Sequence, residues 1–280
     1  MSEPSGQIRV TILGCGSSGG VPRIDGDWGA CDPDDPRNRR TRCSLLVERY
    51  ADGTDPDAPQ APVTRVLVDT SPDLRQQLLA ARVTRLDAIL FTHDHADQTH
   101  GIDDVRALVY RSRARIPAWL DAPTRASLFA RFGYIFESAE GSGYPALLDA
   151  HPMPPFGQAL VIPGPGGPLE AVPLHQQHGS IPSLGFRFGP VTYCNDASAL
   201  PPATLAAARG SSLFIVDALR YTPHPSHAHL DLALSWAAQV AAPLTVLTNL
   251  HIDLDYATLA ARLPAGVEPA VDGWRWTGTL

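Results

Sequence analysis

Residues 91–101, FTHDHADQTHG, concentrate side chains that bind metal ions. His93 and His95 are two residues apart, so on an extended strand end both imidazoles lie on the same side. Asp97 keeps this spacing and adds a carboxylate. Zinc, manganese and iron accept such mixed nitrogen and oxygen ligands. A lone histidine is usually just a buried polar residue, but this alternating set predicts a metal site.

Further candidate ligands lie at the ends of later strand-like runs. His178 ends AVPLHQQH, Asp196 ends VTYCND, and Asn249 and His251 stand two apart near the end of LTVLTNLH. His175 competes with His178 but lies inside its run. Side chains at several strand ends often meet at one edge of a sheet, where they build a site. We therefore expect these residues to join the 91–101 segment.

The elements that must carry these residues alternate in type along the chain. β-like runs cover Ile8–Gly16, Arg42–Tyr50 and Thr64–Thr70, and LDAILFT predicts a short buried strand just before the metal-binding segment. The second half alternates further strand-like runs with amphipathic helices. This order predicts an α/β chain of two packed sheets with helices outside, forming one domain over residues 1–280. Residues 137–168, rich in glycine and proline, are predicted to form a loop or lid.

Composition narrows the class of protein. The 280 residues carry a formal charge of −7, which argues against general coating of nucleic acid. No apolar run approaches the ~20 residues that span a bilayer. The start MSEPSGQIRV lacks the pattern of a secretory signal, so a cytoplasmic location is expected. The four cysteines are scattered, and only Cys31 is a candidate metal thiolate.

A family resemblance adds to this interpretation. THDHADQTHG resembles the HxHxDH signature of the metallo-β-lactamase superfamily, and LVDTSPDLRQQ with Asp69, HGSIPSLGFRFG, YCNDAS and LTNLHIDLDY occur in the expected order. GCGSSGGVPR, NRRTRCSLLV and HPSH are similar, more narrowly, to the PhnP-type branch, whose named activity is phosphoribosyl 1,2-cyclic phosphate phosphodiesterase. The resemblance implies a four-layer αββα sandwich and metal-assisted hydrolysis of a phosphodiester.

The resemblance also implies a ligand set. His93, His95 and His178 would hold one metal, and Asp196 would bridge it to a second, which Asp97 also holds. The cofactor would be one or two divalent ions, with zinc the first choice and manganese or iron the alternatives.

Two positions depart from the family pattern. The pattern has histidine at 98 and 249, whereas this chain has Gln98 and Asn249, whose neutral amides are weak ligands for zinc. His100 and His251 lie two residues further on and could replace the missing imidazoles. We expect a normal first metal site and a second that is either rebuilt around the two aspartates and His251 or weak.

The implied chemistry is attack by a hydroxide that the metal activates at neutral pH. Asp97 would orient the water or bind the metal. His227, in HPSHAHLDLAL, matches a family histidine and is the candidate proton donor or phosphate contact, although a capping role is the plain alternative. The substrate would be a small cyclic or nucleotide-like phosphodiester.

Other functions remain open at this stage. The bond could be another ester, a thioester or a lactone, or the protein could bind a metal or nucleotide without turnover. A membrane partner or extended nucleic acid is not expected, whereas a homodimer is possible. The arginine-rich run Arg37–Arg42 could lie on the surface, at a dimer contact or at a phosphate. The glycines of GCGSSGG predict a tight turn beside the site, and the structural zinc of some PhnP-type proteins is expected to be absent, since only Cys31 remains of its cysteine cluster.

Overall fold

The computed structural model describes residues 6–58, 60–138 and 140–280, where the strands form two seven-stranded sheets. The first sheet consists of β1 (Gly6–Gly14), β2 (Ser44–Ala51), β3 (Val63–Val68), β4 (Ala88–Leu90), β5 (Ile116–Leu120), β6 (Leu148–Pro152) and β14 (Trp274–Thr279). Its spatial order is β14-β1-β2-β3-β4-β5-β6. Neighbours from β14 to β3 are antiparallel, and neighbours from β3 to β6 are parallel.

The second sheet repeats this arrangement. It consists of β7 (Leu160–Ile162), β8 (Leu169–His178), β9 (Ile181–Phe188), β10 (Val191–Cys194), β11 (Leu213–Asp217), β12 (Leu244–Thr248) and β13 (Val267–Pro269). Strands β7 to β10 pair antiparallel, and β10 to β13 pair parallel. In both sheets the parallel half ends at an edge that can gather side chains from neighbouring strands.

Helices cover the outer face of each sheet. They are α1 (Leu74–Ala80), α2 (Ala96–Thr99), α3 (Arg106–Ser112), α4 (Ala122–Phe136), α5 (Pro202–Ala208), α6 (Leu230–Val240) and α7 (Tyr256–Ala260), with 3-10 turns at Pro36–Asn38 and Ile102–Val105. Local sequence explains their starts: the Asp121 carboxylate caps α4 by accepting from Thr124 N, with Pro123 in its first turn. None of these helices, within the described ranges, is long and apolar enough to cross a membrane.

Three buried clusters separate four layers. One lies between the sheets and joins side chains such as Val47 and Val66 with Phe186 and Ile215. A second packs the first sheet against α1, α3 and α4, and a third packs the second sheet against α5, α6 and α7. Burial on both faces explains continuous apolar runs such as LFIVD in β11. The αββα sandwich expected from the sequence is therefore confirmed.

The loop or lid predicted for residues 137–168 is wrong as a continuous loop. β6 adds an edge strand to the first sheet by pairing with β5, and β7 does the same for the second by pairing with β8. The glycines and prolines lie mostly in the turns that flank these two short strands. Ala139 in this segment, and residues 1–5 of the start searched for a secretory signal, lie outside the described residues.

Arg40 ties the loop between β1 and β2 to the chain after β12. Its side chain is buried and donates to Leu254 O at 2.7 Å, His251 O at 3.2 Å and Asn38 Oδ1 at 3.2 Å. The Cys31 thiol lies beside it and donates to Ile252 O at 3.3 Å; burial raises the pKa of this thiol. The Cys31 thiol is therefore buried against the chain after β12.

The other arginines of the 37–42 run also contact groups of the chain itself. Arg37 pairs with Asp35, Arg39 stacks over Trp28, and Arg42 pairs with Asp73. The glycine-rich segment before them makes the predicted tight turn, in which Gly20 N donates to Ser17 O at 2.8 Å. Ser17 N reaches Leu250 O, so this turn lies directly beside the end of β12.

Candidate metal centre

Three imidazoles meet at the edge where the two sheets face each other. The ring centroids of His93 and His95 are 4.5 Å apart, and each lies 4.9 Å from that of His178. One nitrogen from each ring falls within 4.8 Å of the others. This set is called the histidine cluster below, and its mutual spacing fits three ligands around one ion.

Local structure places these rings differently from the sequence-based expectation. β4 ends at Leu90, so His93 and His95 lie in the loop before α2 and not on a strand end. The α2 turn that follows this loop is held against residues 70–71. Thr70 N donates to Gln98 O, Gly101 N donates to Thr70 O, and a Cβ on Gly101 would lie 2.0 Å from Ser71 O. His178 ends β8 as predicted.

The orientation of His93 follows from a hydrogen-bond chain. Thr92 N and Thr92 Oγ1 each lie 2.8 Å from a carboxylate oxygen of Asp69, and Thr92 Oγ1 lies 3.0 Å from His93 Nδ1. Burial raises the pKa of Asp69 to about 8, and a nearby cation would favour its carboxylate form. Once Asp69 is a carboxylate, the hydroxyl donates to it and accepts from His93 Nδ1–H, which leaves a lone pair on Nε2.

His178 is oriented by a backbone carbonyl. Its Nδ1 lies 2.7 Å from Ser226 O, and since a carbonyl only accepts, Nδ1 carries the proton. Its Nε2 is therefore a bare nitrogen, 3.1 Å from His95 Nδ1. Burial, reinforced by His227, lowers the pKa of His178 to about 4, and burial also lowers that of His93. Both rings are neutral at pH 7, as metal ligands must be.

The histidine cluster fits a divalent cation. His93 Nε2 is buried and has no hydrogen-bond partner. A buried polar atom without a partner costs about 1–3 kcal/mol, and a cation would satisfy it together with the bare nitrogen of His178. Neutral imidazoles whose second nitrogens are fixed by a hydroxyl and a carbonyl are the usual surroundings of a protein-bound transition metal.

A second group of polar side chains adjoins the first. Asp196, just after β10, is 2% exposed and accepts from three amides. Gln98 Nε2 lies 2.8 Å and Asn195 Nδ2 2.7 Å from its Oδ2, while Asn249 Nδ2 lies 3.1 Å from its Oδ1. We call Asp196 and these three amides the amide cluster. Burial raises the pKa of Asp196 well above its usual range, whereas His227 acts to lower it, and a nearby cation would favour the carboxylate form.

Asp217 links the amide cluster to His227. It ends β11, is fully buried, and accepts from Ala197 N at 3.0 Å, Asn249 Nδ2 at 3.1 Å and His227 Nδ1 at 2.9 Å. Burial acts to lower the pKa of His227, but Asp217 and then Asp196 outweigh it and raise that pKa to about 9. His227 also lies within ligand distance of His178 and Asp196, so it belongs to the site.

Backbone strain concentrates at this edge. Asp69, Asp196 and Asn249 each follow a parallel strand and adopt positive φ angles of 63°, 53° and 63°. Asp and Asn tolerate this conformation better than most residues, although it still costs free energy. The left-handed turn lets each side chain, directly after its strand, take part in the polar network.

Of the predicted site residues, the structure brings His93, His95, His178, Asp196 and His227 together. Asp97 lies at the rim of the same site, with Gln98 Nε2 3.5 Å from its Oδ2. His251 does not join them. Its Nδ1 is 3.1 Å from Asp253 Oδ2, and its Nε2 contacts Arg23.

Neither His100 nor His251 therefore takes the place of a missing imidazole at the second site. His100 ends α2, is exposed, and packs edge-on against Phe132. It turns away because α2 begins at Ala96, so the alternation of a strand no longer applies. Both groups of potential ligands found among the described residues omit His100 and His251.

Sequence reasoning missed three members of the site. Asp217 ends a strand-like run in the same way as Asp196, and that signal could have found it. Thr92 and Asn195 lie directly beside predicted ligands, but nothing in their types or spacing marks them, because their roles depend on the tertiary contacts.

Comparison with known proteins now defines the class. Residues 64–252 match the beta-lactamase superfamily domain, so the chain belongs to this superfamily and has the metallo-β-lactamase fold of its hydrolases. Within it, the chain is of the PhnP type: a crystal structure described as a new diphosphatase from the PhnP family is 34% identical, with a TM-score of 0.85 and 99% of each chain covered.

More distant structures share the fold alone. YhfI from Bacillus subtilis is 16% identical with a TM-score of 0.70, covering 97% of this chain and 99% of that one. Human tRNase Z, short form, is 16% identical with a TM-score of 0.63, covering 96% and 98%.

An octanoyltransferase of Porphyromonas gingivalis is 31% identical over 95% of this chain, which spans only 51% of that protein.

Proposed function

We propose that this hydrolase cleaves a small phosphodiester or diphosphate of a nucleotide-like molecule, using a divalent metal held by the histidine cluster. The observation that carries the proposal is the convergence of neutral imidazoles, one with a buried unpartnered nitrogen, beside carboxylates at the same edge. The PhnP-family relative is a diphosphatase, which supports phosphoryl chemistry for this chain. Zinc is our first choice of metal, with manganese and iron as alternatives.

The residues of the site have two proposed roles, metal binding and orientation of the metal-binding rings. His93, His95 and His178 would hold the metal, and Asp196 and Asp97 would add oxygen ligands. When bound, the ion supplies Lewis acidity for the phosphoryl group and lowers the pKa of water. Asp69, Thr92 and the carbonyl of Ser226 fix the ring orientations, which preserves the site between turnovers.

His227 is the proposed proton donor to the leaving alkoxide. Its Nδ1 is held by Asp217, so its other nitrogen is free to face a substrate. The pair resembles the general arrangement in which a carboxylate orients an imidazole for proton transfer. Cytoplasmic location and a homodimer remain predictions.

A substrate panel tests the proposed function. It contains bis-p-nitrophenyl phosphate, a ribose cyclic phosphate, a dinucleotide with a diphosphate link and an octanoyl thioester, each with zinc, manganese or iron. The thioester is included because the relative from P. gingivalis is an octanoyltransferase, of which this chain matches about half. Phosphodiester or diphosphate turnover, lost with chelator and in Asp97→Ala but kept in the exposed control Asp104→Ala, is expected.

Either of two results would contradict the proposal and assign a different function. Turnover of the thioester alone assigns the enzyme to acyl chemistry. Tight nucleotide binding without turnover under every metal assigns a binding protein.

The role of His227 has its own test. His227→Ala should slow cleavage of an alkoxide-leaving substrate by roughly 100-fold or more, as loss of a general acid does. A p-nitrophenolate leaving group needs no proton, so its release should slow much less. The control His151→Ala, at an exposed ring stacked on Trp119, should change neither rate. Equal losses for both leaving groups would contradict the proton-donor role.

A further inference from the structure

Asp196 is the carboxylate that the family resemblance gives as the bridge to a second metal, and three amide nitrogens lie within hydrogen-bond distance of it. Gln98 and Asn195 donate to one oxygen, at 2.8 Å and 2.7 Å, and Asn249 donates to the other at 3.1 Å. All four side chains are buried, with Gln98 and Asn249 each 1% exposed. Amide N–H groups cannot ligate a metal, so three approaches to Asp196 are closed to cations.

Surrounding contacts fix which atom of the Asn249 amide faces Asp196. Its Nδ2 also lies 3.1 Å from Asp217 Oδ1 and 3.0 Å from His227 Nδ1. The two carboxylates accept from this amide, and together they outweigh the single contact with the imidazole nitrogen. Its Oδ1 faces the Cys43 thiol at 4.0 Å. Reversing the amide would set its oxygen against both carboxylates and its NH2 group against the thiol. The nitrogen therefore faces the site.

The same electrostatics orients Gln98. Its Oε1 is buried without a partner, but exchanging the two atoms would place that oxygen 2.8 Å from Asp196 Oδ2. Repulsion between an amide oxygen and a carboxylate at this distance is worse than an unpartnered carbonyl, because the carboxylate carries charge. Gln98 thus serves as a donor to Asp196.

The number of free acceptor positions on the Asp196 carboxylate limits what it can still bind. A carboxylate offers about four lone-pair positions. The three amides take three, and His227 Nδ1 lies 3.5 Å from Oδ1. About one position remains, which is enough for one metal but not for a bridge between two.

We propose that Gln98, Asn195 and Asn249 close the second metal position with neutral hydrogen-bond donors, so that this protein works with one divalent ion. The inference rests on the metal of the proposed function and specifies its number. The amides do for Asp196 what a second cation would do, since charge-assisted hydrogen bonds stabilise a buried carboxylate. Because the amides are neutral, the site has less positive charge near the substrate than a site with two metal ions would have.

His251 offers no alternative ligand for a second ion. Its two ring nitrogens contact Asp253 and Arg23, and neither group of potential ligands among the described residues includes it. To bind Asp196, a second ion would therefore have to break an amide hydrogen bond to this buried carboxylate, and it would gain no nitrogen ligand from His251. This ordering favours occupancy of the histidine cluster alone.

Metal stoichiometry tests the inference directly. Protein grown with zinc and purified without chelator is desalted and its metal content measured by mass spectrometry against protein concentration. We expect about one zinc per chain in the wild type and about two in Gln98→His/Asn249→His, where imidazoles replace the amides. The matched control Gln239→His changes an exposed amide on α6 and should stay at about one.

A measurement on the wild type alone covers the case in which the double variant does not fold. Electron paramagnetic resonance of manganese-loaded wild type should show an isolated ion, without the spin coupling of a close pair. Circular dichroism before the metal analysis establishes whether each variant is folded.

The outcomes separate this inference from the proposed function. Two tightly held metals in the wild type, a coupled manganese pair, or a folded double variant that stays at one metal would each overturn the inference while leaving metal-dependent hydrolysis intact. No bound metal in the wild type would overturn both. Phosphodiester turnover with one metal supports both.

Discussion

The histidine cluster and the amide cluster are neighbours at the same sheet edge. They differ in whether their lone pairs are left free or accept hydrogen bonds. In the histidine cluster, Thr92 and Ser226 take the outer protons of two rings and leave bare nitrogens inside. In the amide cluster, three donors take all but about one of the acceptor positions of Asp196. The first arrangement is unsatisfied without a cation, and the second is nearly satisfied without one.

The difference teaches that ligand-type residues alone do not define a metal site. Asp196 has the right charge and burial, but its partners decide whether a cation gains anything by approaching. A buried carboxylate with three hydrogen bonds gives up those bonds when it takes a new ligand. The Nε2 of His93 has no partner and gives up no hydrogen bond, so the same ion binds the two clusters with different free energies.

The largest expected effect comes from removing a ligand of the histidine cluster. His93→Ala should weaken metal binding by more than the roughly 100-fold that loss of an outer-shell partner costs, and hydrolysis should fall with it. Equilibrium competition with a coloured chelator measures the affinity. His100→Ala, which alters an exposed ring of the same segment, is the control and should bind normally. Unchanged affinity in His93→Ala would show that the metal lies elsewhere.

An intermediate effect should follow from breaking the hydrogen-bond chain behind His93. Thr92→Val keeps the shape but removes the hydroxyl between Asp69 and the ring, so metal affinity should fall by about 10–100-fold. The same competition assay reports it, with a thermal melt to register the lost hydrogen bond. Thr92→Ser restores the hydroxyl and should recover the affinity. If valine and serine bind metal equally well, the hydroxyl does not orient the ring.

The smallest expected effect is at His251, the residue predicted from sequence to rebuild the second site. Because its ring contacts Arg23 and Asp253, His251→Ala should leave metal stoichiometry unchanged and affinity within about twofold, as for an ordinary surface substitution. Metal analysis and the chelator assay measure both. A loss of one metal equivalent would restore the rebuilt-site hypothesis and contradict the closure by amides.

Local sequence was informative where chemistry and spacing coincide. His93, His95, Asp97 and His178 could be selected because metal ligands are few in type and are closely spaced here, although only His178 ends a strand. The sandwich followed from alternating strands and helices. The lid at 137–168 failed because β6 and β7 are strands of three to five residues, whose edge pairing supplies the order that their glycine-rich surroundings hide.

By itself, the sequence determined that this chain is an αββα protein with a metal-binding edge, and that Gln98 and Asn249 make one half of that edge unusual. Only the tertiary structure decided what the two amides do. An amide can offer an oxygen to a metal or a hydrogen to a carboxylate, and its residue type does not distinguish these roles. The choice depends on Asp196, Asp217 and Cys43, which β10, β11 and β2 bring to the amides from distant parts of the chain.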